Sequence, residues 1–296
     1  MLRFALSVLL LTPAALRAEP PKVLADIAPV HSLVAQVMGD LGAPTLLLRA
    51  GASPHDYALR PSDARALNDA EVMIWVGEGL TPWLHDPIHD FTGDATVLTL
   101  LETDGWDVVG LEAGHDDHDH DHDHGDTDPH AWLDPDVAQV WLTHIAAAMT
   151  AADPENGAIY ARNADAARAE IVILAAEIDA RLTPLRGTPY LVAHDAYGYF
   201  ARRFSMPTSG AIALSDAQTP SAARIANLQA ILDQDAITCI LTDPQVDTRW
   251  AALVGEGTPV RTAQIDALGA SIPAGPDHYA AMLTQMAARF ESCLTP

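Results

Sequence analysis

Residues 154–182 read PENGAIYARNADAARAEIVILAAEIDARL, and no Pro or Gly follows Gly157 in that run. Ala, Glu and Arg, all strong helix formers, dominate it. Tyr160, Ala164, Ala167, Ile171, Leu174, Ile178 and Leu182 recur at steps of three or four, the spacing that lines one face of an α-helix. About 28 residues at 1.5 Å each make roughly 40 Å of helix, long for a globular domain. A long core helix would explain the stripe. A rigid strut between two lobes explains the stripe and the length together, and is the favoured reading.

Both flanks of the helix alternate strand-like and helix-like segments. On the N-terminal side, residues 22–27 (KVLADI) read as a buried strand, 30–38 as a helix, and 45–48 as a second apolar run before the loop GASPHDY. Pro61 and Ser62 open another helix, with Ser62 as N-cap and Asp63 favourable to the helix dipole. Residues 72–76 (VMIWV) and 96–100 read as two more strands, and helix resumes over 135–150. On the C-terminal side, strands are expected at 189–193, 236–241 and 260–265, and helices at 220–232 and 277–293. Such alternation implies βαβ units and mostly parallel sheets. The order is therefore α/β lobe, long helix, α/β lobe. The expected boundaries are a signal peptide over 1–18, an N-terminal lobe over 19–152, a linker helix over 153–183 and a C-terminal lobe over 184–296.

The ends and the charge place the chain outside the cytoplasm and away from nucleic acid. MLRFALSVLLLTPAALRA has a basic n-region at Arg3, a short apolar core and a small residue, Ala18, at a plausible cleavage point. That is the pattern of a cleaved secretory signal. The formal net charge is −24, and without Arg3 and Arg17 it becomes −26. A chain this acidic has no basic footprint for a phosphate backbone, so nucleic acid is excluded as a partner. An acidic surface instead attracts cations. Cys239 and Cys293 are the two cysteines. In an oxidising compartment such a pair reads as one structural disulfide, tying a predicted strand to the closing helix.

Residues 115–130 read HDDHDHDHDHGDTDPH, and His115, His118, His120, His122 and His124 alternate with aspartates inside it. Imidazole is a good ligand for zinc, copper and nickel, and carboxylates support it. The loop over 115–128 has no apolar face to bury, so its composition predicts no packed structure. Its chemistry is metal handling.

Three further histidines sit in turn-like contexts: His55 in GASPHDYALRPSD, His130 in DPHAWLDP and His194 in YLVAHDAYGYF. They stand 75 and 64 residues apart, so only a fold can bring them together. Two of them follow predicted strands closely, and ligands of α/β sheets bind outside the carboxyl ends of strands. His31, in IAPVHSLV, reads as structural, and His85, His89, His144 and His278 read as surface or helix residues.

These phrases resemble the periplasmic zinc-binding proteins of ABC importers, the ZnuA-like, cluster A-I solute-binding proteins. The resemblance runs over essentially the whole mature chain. It rests on GASPHDYALRPSD, DPHAWLDP, HDAYGYF and the histidine- and acid-rich loop before DPHAW. It implies two Rossmann-like lobes joined by one long helix, with one metal between them. The two cysteines match the disulfide of Gram-negative members. The resemblance makes His55, His130 and His194 the zinc ligands. Asp266, in AQIDALG, is the favoured fourth ligand, with another carboxylate or water as the alternatives. Manganese-type relatives carry a carboxylate where this chain has His194. Three imidazoles with one oxygen suit tetrahedral zinc, whereas manganese takes more oxygen.

The function so implied is capture of Zn²⁺ in the periplasm and delivery to an ABC permease in the inner membrane, with a periplasmic zinc chaperone as a further partner. The chain is expected to be a monomer and not an enzyme, since neither HExxH nor GxSxG is present. One tight interlobe site and weaker loop sites are expected. Binding should weaken as pH drops below about 6.5, where free imidazole takes up a proton. A periplasmic zinc buffer without a permease, or a binding protein for another divalent transition metal, would use the same residues.

Overall fold

A computed structural model describes residues 19–110, 127–216 and 218–295 of the chain. The expected signal peptide and His115, His118, His120, His122 and His124 lie outside the described residues. The N-terminal half contains β1 (Val23–Ala25), α1 (Ala28–Met38), β2 (Thr45–Leu46), α2 (Pro61–Asp69), β3 (Val72–Trp75), α3 (His85–Phe91), β4 (Thr96–Thr99) and α4 (Pro135–Ala152). The long helix α5 (Gly157–Leu182) follows. The C-terminal half contains β5 (Leu191–His194), α6 (Gly198–Phe204), β6 (Ala211–Ala213), α7 (Ala222–Gln234), β7 (Cys239–Thr242), α8 (Arg249–Val254), β8 (Arg261–Gln264) and α9 (His278–Leu294).

Each half forms a four-stranded parallel sheet, in the orders β2-β1-β3-β4 and β6-β5-β7-β8. The strand order is the same in both. β1, β3, β5 and β7 are buried along their whole lengths, which is why they read as unbroken apolar runs rather than alternating ones. The outer strands β4 and β8 are largely open to solvent. In each sheet the strand order reverses direction between the paired neighbours β1 and β3, or β5 and β7. The crevice at such a switch point, beyond the strands' carboxyl ends, is where this architecture binds ligands.

The helix α5 has 26 residues, and its buried stripe is Gly157, Tyr160, Ala164, Ala167, Ile171, Ala175, Ile178 and Leu182. Leu174 is only half-buried, and the smaller Ala175 takes the inward position. The helix lies against α1, α4 and α9, so it is embedded between the lobes rather than spanning open solvent. One apolar cluster runs from Val30 and Trp132 through Tyr160 and Ile171 to Phe200 and Phe290. Buried hydrogen bonds cross the same boundary. The Trp132 indole donates to the Ala267 carbonyl (2.8 Å), and the Tyr279 hydroxyl donates to the Trp132 carbonyl (2.8 Å). The Ser32 hydroxyl donates to the Pro276 carbonyl (2.8 Å) and accepts from the Tyr279 amide (3.0 Å).

Local chemistry sets several element ends differently from the sequence expectation. Arg60, not Ser62, is the N-cap of α2: Pro61 occupies the first turn, and the Asp63 carboxylate takes the Arg60 N–H (2.9 Å). β7 begins at Cys239 rather than 236 because Ala236, at φ +52°, turns the chain out of α7. Neither β6 nor α8 has a sequence signal, since each is three to six residues long. Among the described residues no helix is long and apolar enough to cross a membrane.

Cys239 and Cys293 form a disulfide, with Cα atoms 5.7 Å apart, that ties the start of β7 to the end of α9. It closes a loop of 54 residues, for which chain entropy gives roughly 4 kcal/mol. Replacing both cysteines by alanine is expected to lower the unfolding free energy by about 3–4 kcal/mol. Metal binding should be unchanged, since the bridge sits at the opposite end of β7 from the crevice. Urea unfolding alongside a metal titration checks both parts.

Candidate metal centre

Three imidazoles from three separate segments meet at the switch-point end of the two sheets. His55 lies in the loop between β2 and α2. Its amide donates to Ser53 Oγ (3.1 Å), and the Trp83 indole holds the loop through the Pro54 carbonyl (2.7 Å). His130 lies just before α4, whose N-cap is Asp134, with Pro135 in the first turn. His194 is the last residue of β5, at the centre of its sheet. The ligating nitrogens of the three lie within 4.8 Å of one another. The Nε2 atoms of His55 and His130 are 3.3 Å apart. Two nitrogens bound tetrahedrally at a Zn–N distance of about 2.0–2.1 Å stand about 3.3 Å apart. The His55–His130 separation is that of two ligands of one ion, and His194 completes a group that could hold a metal.

The protonation of the site suits a cation. Burial, followed by repulsion from His130, pushes His55 down to about 3. Burial and the other two histidines hold His194 well below the usual imidazole range. Both rings are therefore neutral donors at physiological pH. Asp128 Oδ1 lies 2.7 Å from His130 Nδ1, and both side chains are buried. The carboxylate accepts a hydrogen bond from Nδ1–H, which leaves Nε2 to face the other two rings. His194 has no such closed contact. Its side chain is 5% exposed, yet neither ring nitrogen has a hydrogen-bond partner among the described residues. A buried polar group left unpaired costs about 1–3 kcal/mol, so a buried His194 is out of place as a structural residue and in place as a ligand.

The cavity at the three rings has a volume of about 10 Å³, the space of one water-sized body, and Trp132, Asp243, Gln245 and Leu268 help to line it. A hydrated six-coordinate ion does not fit there. An ion stripped to the three imidazoles and one small donor does.

Asp266 is not in this group. Its Oδ1 accepts from the Leu268 and Gly269 amides (both 2.9 Å), and Oδ2 accepts from the Ala270 amide (2.7 Å). Both oxygens are committed to the turn after β8. His31 is buried on the Pro44 carbonyl (3.1 Å), outside the cluster. His278, the first residue of α9, is a helix residue as expected and is buried. It holds the strap before α9 through the Leu268 (2.9 Å) and Pro273 (3.3 Å) carbonyls. Sequence reading missed Asp128, although the DPH phrase contains it. It also missed Asp243, whose closeness to His194 comes only from the pairing of β5 with β7, and Tyr197, which stands three residues after His194 and bonds to Asp243.

Comparison with known proteins follows this geometry. The family model described as zinc-uptake complex component A, periplasmic (ZnuA), matches residues 23–293. A relative from Paracoccus denitrificans, named high-affinity zinc uptake system protein ZnuA, is 40% identical, covering 94% of this chain and 93% of its own length. A protein of the same name from Brucella suis is 33% identical, covering 95% and 94%. A crystal structure titled ZnuA superposes with a TM-score of 0.80 at 22% identity, covering 93% of this chain and all of the other, which speaks to the fold.

Two predictions come from the site. Metal-free His194→Leu is expected to be as stable as the parent or up to about 1 kcal/mol more stable, because the unpaired nitrogens are gone. Its stabilisation by added zinc should vanish, and thermal unfolding with and without zinc reads both. The second concerns pH. Burial holds His55 and His194 neutral, so lowering the pH from about 7.5 to about 5.5 should weaken zinc binding far less than free titration of all three imidazoles would. Three freely titrating imidazoles would give roughly a thousandfold. The sign for stability agrees. An unfolded histidine takes up its proton near pH 6.5, whereas folded His55 does so at about 3. The unfolded state binds more protons between those values, so the metal-free protein loses stability as pH falls through that window.

Proposed function

We propose, for a chain that belongs to the ZnuA family of periplasmic zinc-uptake complex components, that His55, His130 and His194 bind one Zn²⁺ between the lobes. The protein then carries the ion to an ABC permease in the inner membrane. The observation that carries this reading is the convergence of three imidazoles, two of them buried, with ligating nitrogens within 4.8 Å of one another and one pair at 3.3 Å, around a cavity of about 10 Å³. The zinc named in the relatives' titles supports the choice of ion. Copper(II) would bind three imidazoles more tightly by intrinsic affinity, so zinc also rests on availability.

The fourth position is read as water. Asp266 would have to give up three backbone N–H bonds to reach the ion, each worth more than usual because the acceptor is charged. His115, His118, His120, His122 and His124 are read as weaker accessory ligands that raise local capture. The site itself is read as binding and release without chemistry, and the protein as an exported monomer divided at 19–152, 153–183 and 184–296. A periplasmic zinc chaperone is kept as a further partner. The shared core and the buried interlobe bonds favour small lobe movements over wide hinge closure.

Zinc calorimetry on the mature protein and on a form lacking residues 115–126, each with and without His194→Ala, tests the reading. The tight site is expected to survive loop deletion and to disappear with His194→Ala. Tight binding that follows the loop and ignores His194 would make the protein a histidine-loop zinc buffer.

A further inference from the structure

Each lobe presents one of the buried histidines with a carboxylate behind it. In the N-terminal lobe the pair is His130 and Asp128, closed at 2.7 Å. In the C-terminal lobe the residue behind His194 is Asp243, with Oδ2 3.4 Å from His194 Nδ1. The sheet puts them together. β5 pairs with β7 so that Leu191 faces Ile240 and Val192 faces Leu241, and the same register carried forward sets His194 beside Asp243. Asp243 is fully buried. Its Oδ1 accepts from the Gln245 amide (2.9 Å), and its Oδ2 accepts from the Tyr197 hydroxyl (2.6 Å). Tyr197 is itself buried and stands three residues after His194, its ring 6.0 Å from the imidazole.

We propose that Asp243 and Tyr197 are positioning residues for His194, with Asp243 accepting a hydrogen bond from Nδ1–H so that Nε2 is the ligand atom, and Tyr197 fixing the carboxylate that does so. The proposal rests on the reading of His194 as a zinc ligand. Three observations carry it. Asp243 is paired with His194, its Oδ2 3.4 Å from the ring Nδ1. Both of its oxygens already accept from donors of its own lobe, so it is oriented before the metal arrives and cannot swing round to become a ligand without breaking those bonds. Finally, His194 is the one ligand whose two ring nitrogens both lack partners, so its tautomer is set only when the ion takes one nitrogen and an acceptor takes the other. The two lobes thus contribute one closed and one open histidine–carboxylate pair to the same ion.

The test compares Tyr197→Phe, Asp243→Asn, Asp243→Ala and His194→Ala in the full mature chain. Zinc affinity is read by chelator competition, the coordination set by the visible absorption of the Co²⁺-loaded protein, and the fold by thermal unfolding without metal. Tyr197→Phe and Asp243→Ala are expected to weaken zinc about 10- to 100-fold, with the Co²⁺ band positions of the parent retained. Asp243→Asn keeps an acceptor and should lose less than Asp243→Ala. Tyr197→Phe changes no packing volume and serves as the readout should the Asp243 variants fold poorly. Affinity within twofold of the parent in Tyr197→Phe and Asp243→Asn overturns the proposal. So does a shifted Co²⁺ spectrum in Asp243→Asn, which would make the carboxylate a ligand. His194→Ala separates the two levels: tight binding that survives it removes the ligand reading itself, whatever the Asp243 variants do.

Discussion

One apolar core shared by both lobes is the constraint on which the site depends. The three histidines come from a loop, a helix approach and a strand end, and no local interaction brings them within 4.8 Å. The distance between them is set by how α1, α4 and α9 seat on α5. Trp132 shows the link at a single residue. Two positions after His130, it is fully buried, stacks near the His130 ring at 5.3 Å, and bonds to the C-terminal lobe through both its indole and its carbonyl. The width of the gap between the ligands is therefore a packing quantity, and close-packed interiors change such quantities in steps rather than continuously.

The same core explains which parts of the sequence were readable. The stripe from Tyr160 to Leu182 is a local, periodic signal, and the fold follows it apart from the exchange of Leu174 for Ala175. Strands buried on both faces announce themselves as apolar runs, as VMIWV does. β6 and α8 are too short to carry a period, and the start of β7 depends on a left-handed alanine that no composition rule marks. At the site, the three histidines stood out through the phrases around them. Their supports did not. Asp128 lies two residues from His130 but is distinguished from Asp56, which follows His55 and is exposed, only by burial. Asp243 is 49 residues from His194 and becomes its neighbour through strand register alone. The reading of Asp266 took a carboxylate in the right turn and could not see that three backbone amides already claim it.

Electrostatics within the site run against the charge of the whole. The chain carries −24 overall, yet among the residues lining the cavity His55 and His194 are held neutral by burial, and burial pushes the Asp243 carboxyl up to about 7. Tyr197 and the Gln245 amide pull that value back in part. The long-range field gathers cations near the surface. The local chemistry then selects among them by donor type. Neutral nitrogens in a space without room for a hydration shell favour an ion that gives up its water readily and accepts four-coordination. Magnesium and manganese, which prefer oxygen and higher coordination, lose on both counts.

Leaving His194 unpaired is a cost that the metal-free protein bears for the sake of the bound one. A core histidine with two orphan nitrogens would be replaced by leucine if stability alone were selected, since buried unpaired polar groups are among the larger single destabilising features a fold can carry. The cost stays tolerable because it is local. His130 is paired at Nδ1, Trp132 and Tyr279 bond to each other across the core, and the disulfide secures the far end of β7. It also gives binding a direction. An ion that satisfies His194 recovers in the complex what the free protein forgoes, so the same residue that weakens the empty fold strengthens the preference for the occupied one. On the proposed function, release must pay that preference back. His130 and His194 are both buried, so motion of the His55 loop alone does not free the ion. The lobes have to part slightly along the core they share, and that displacement needs a partner able to act on both at once.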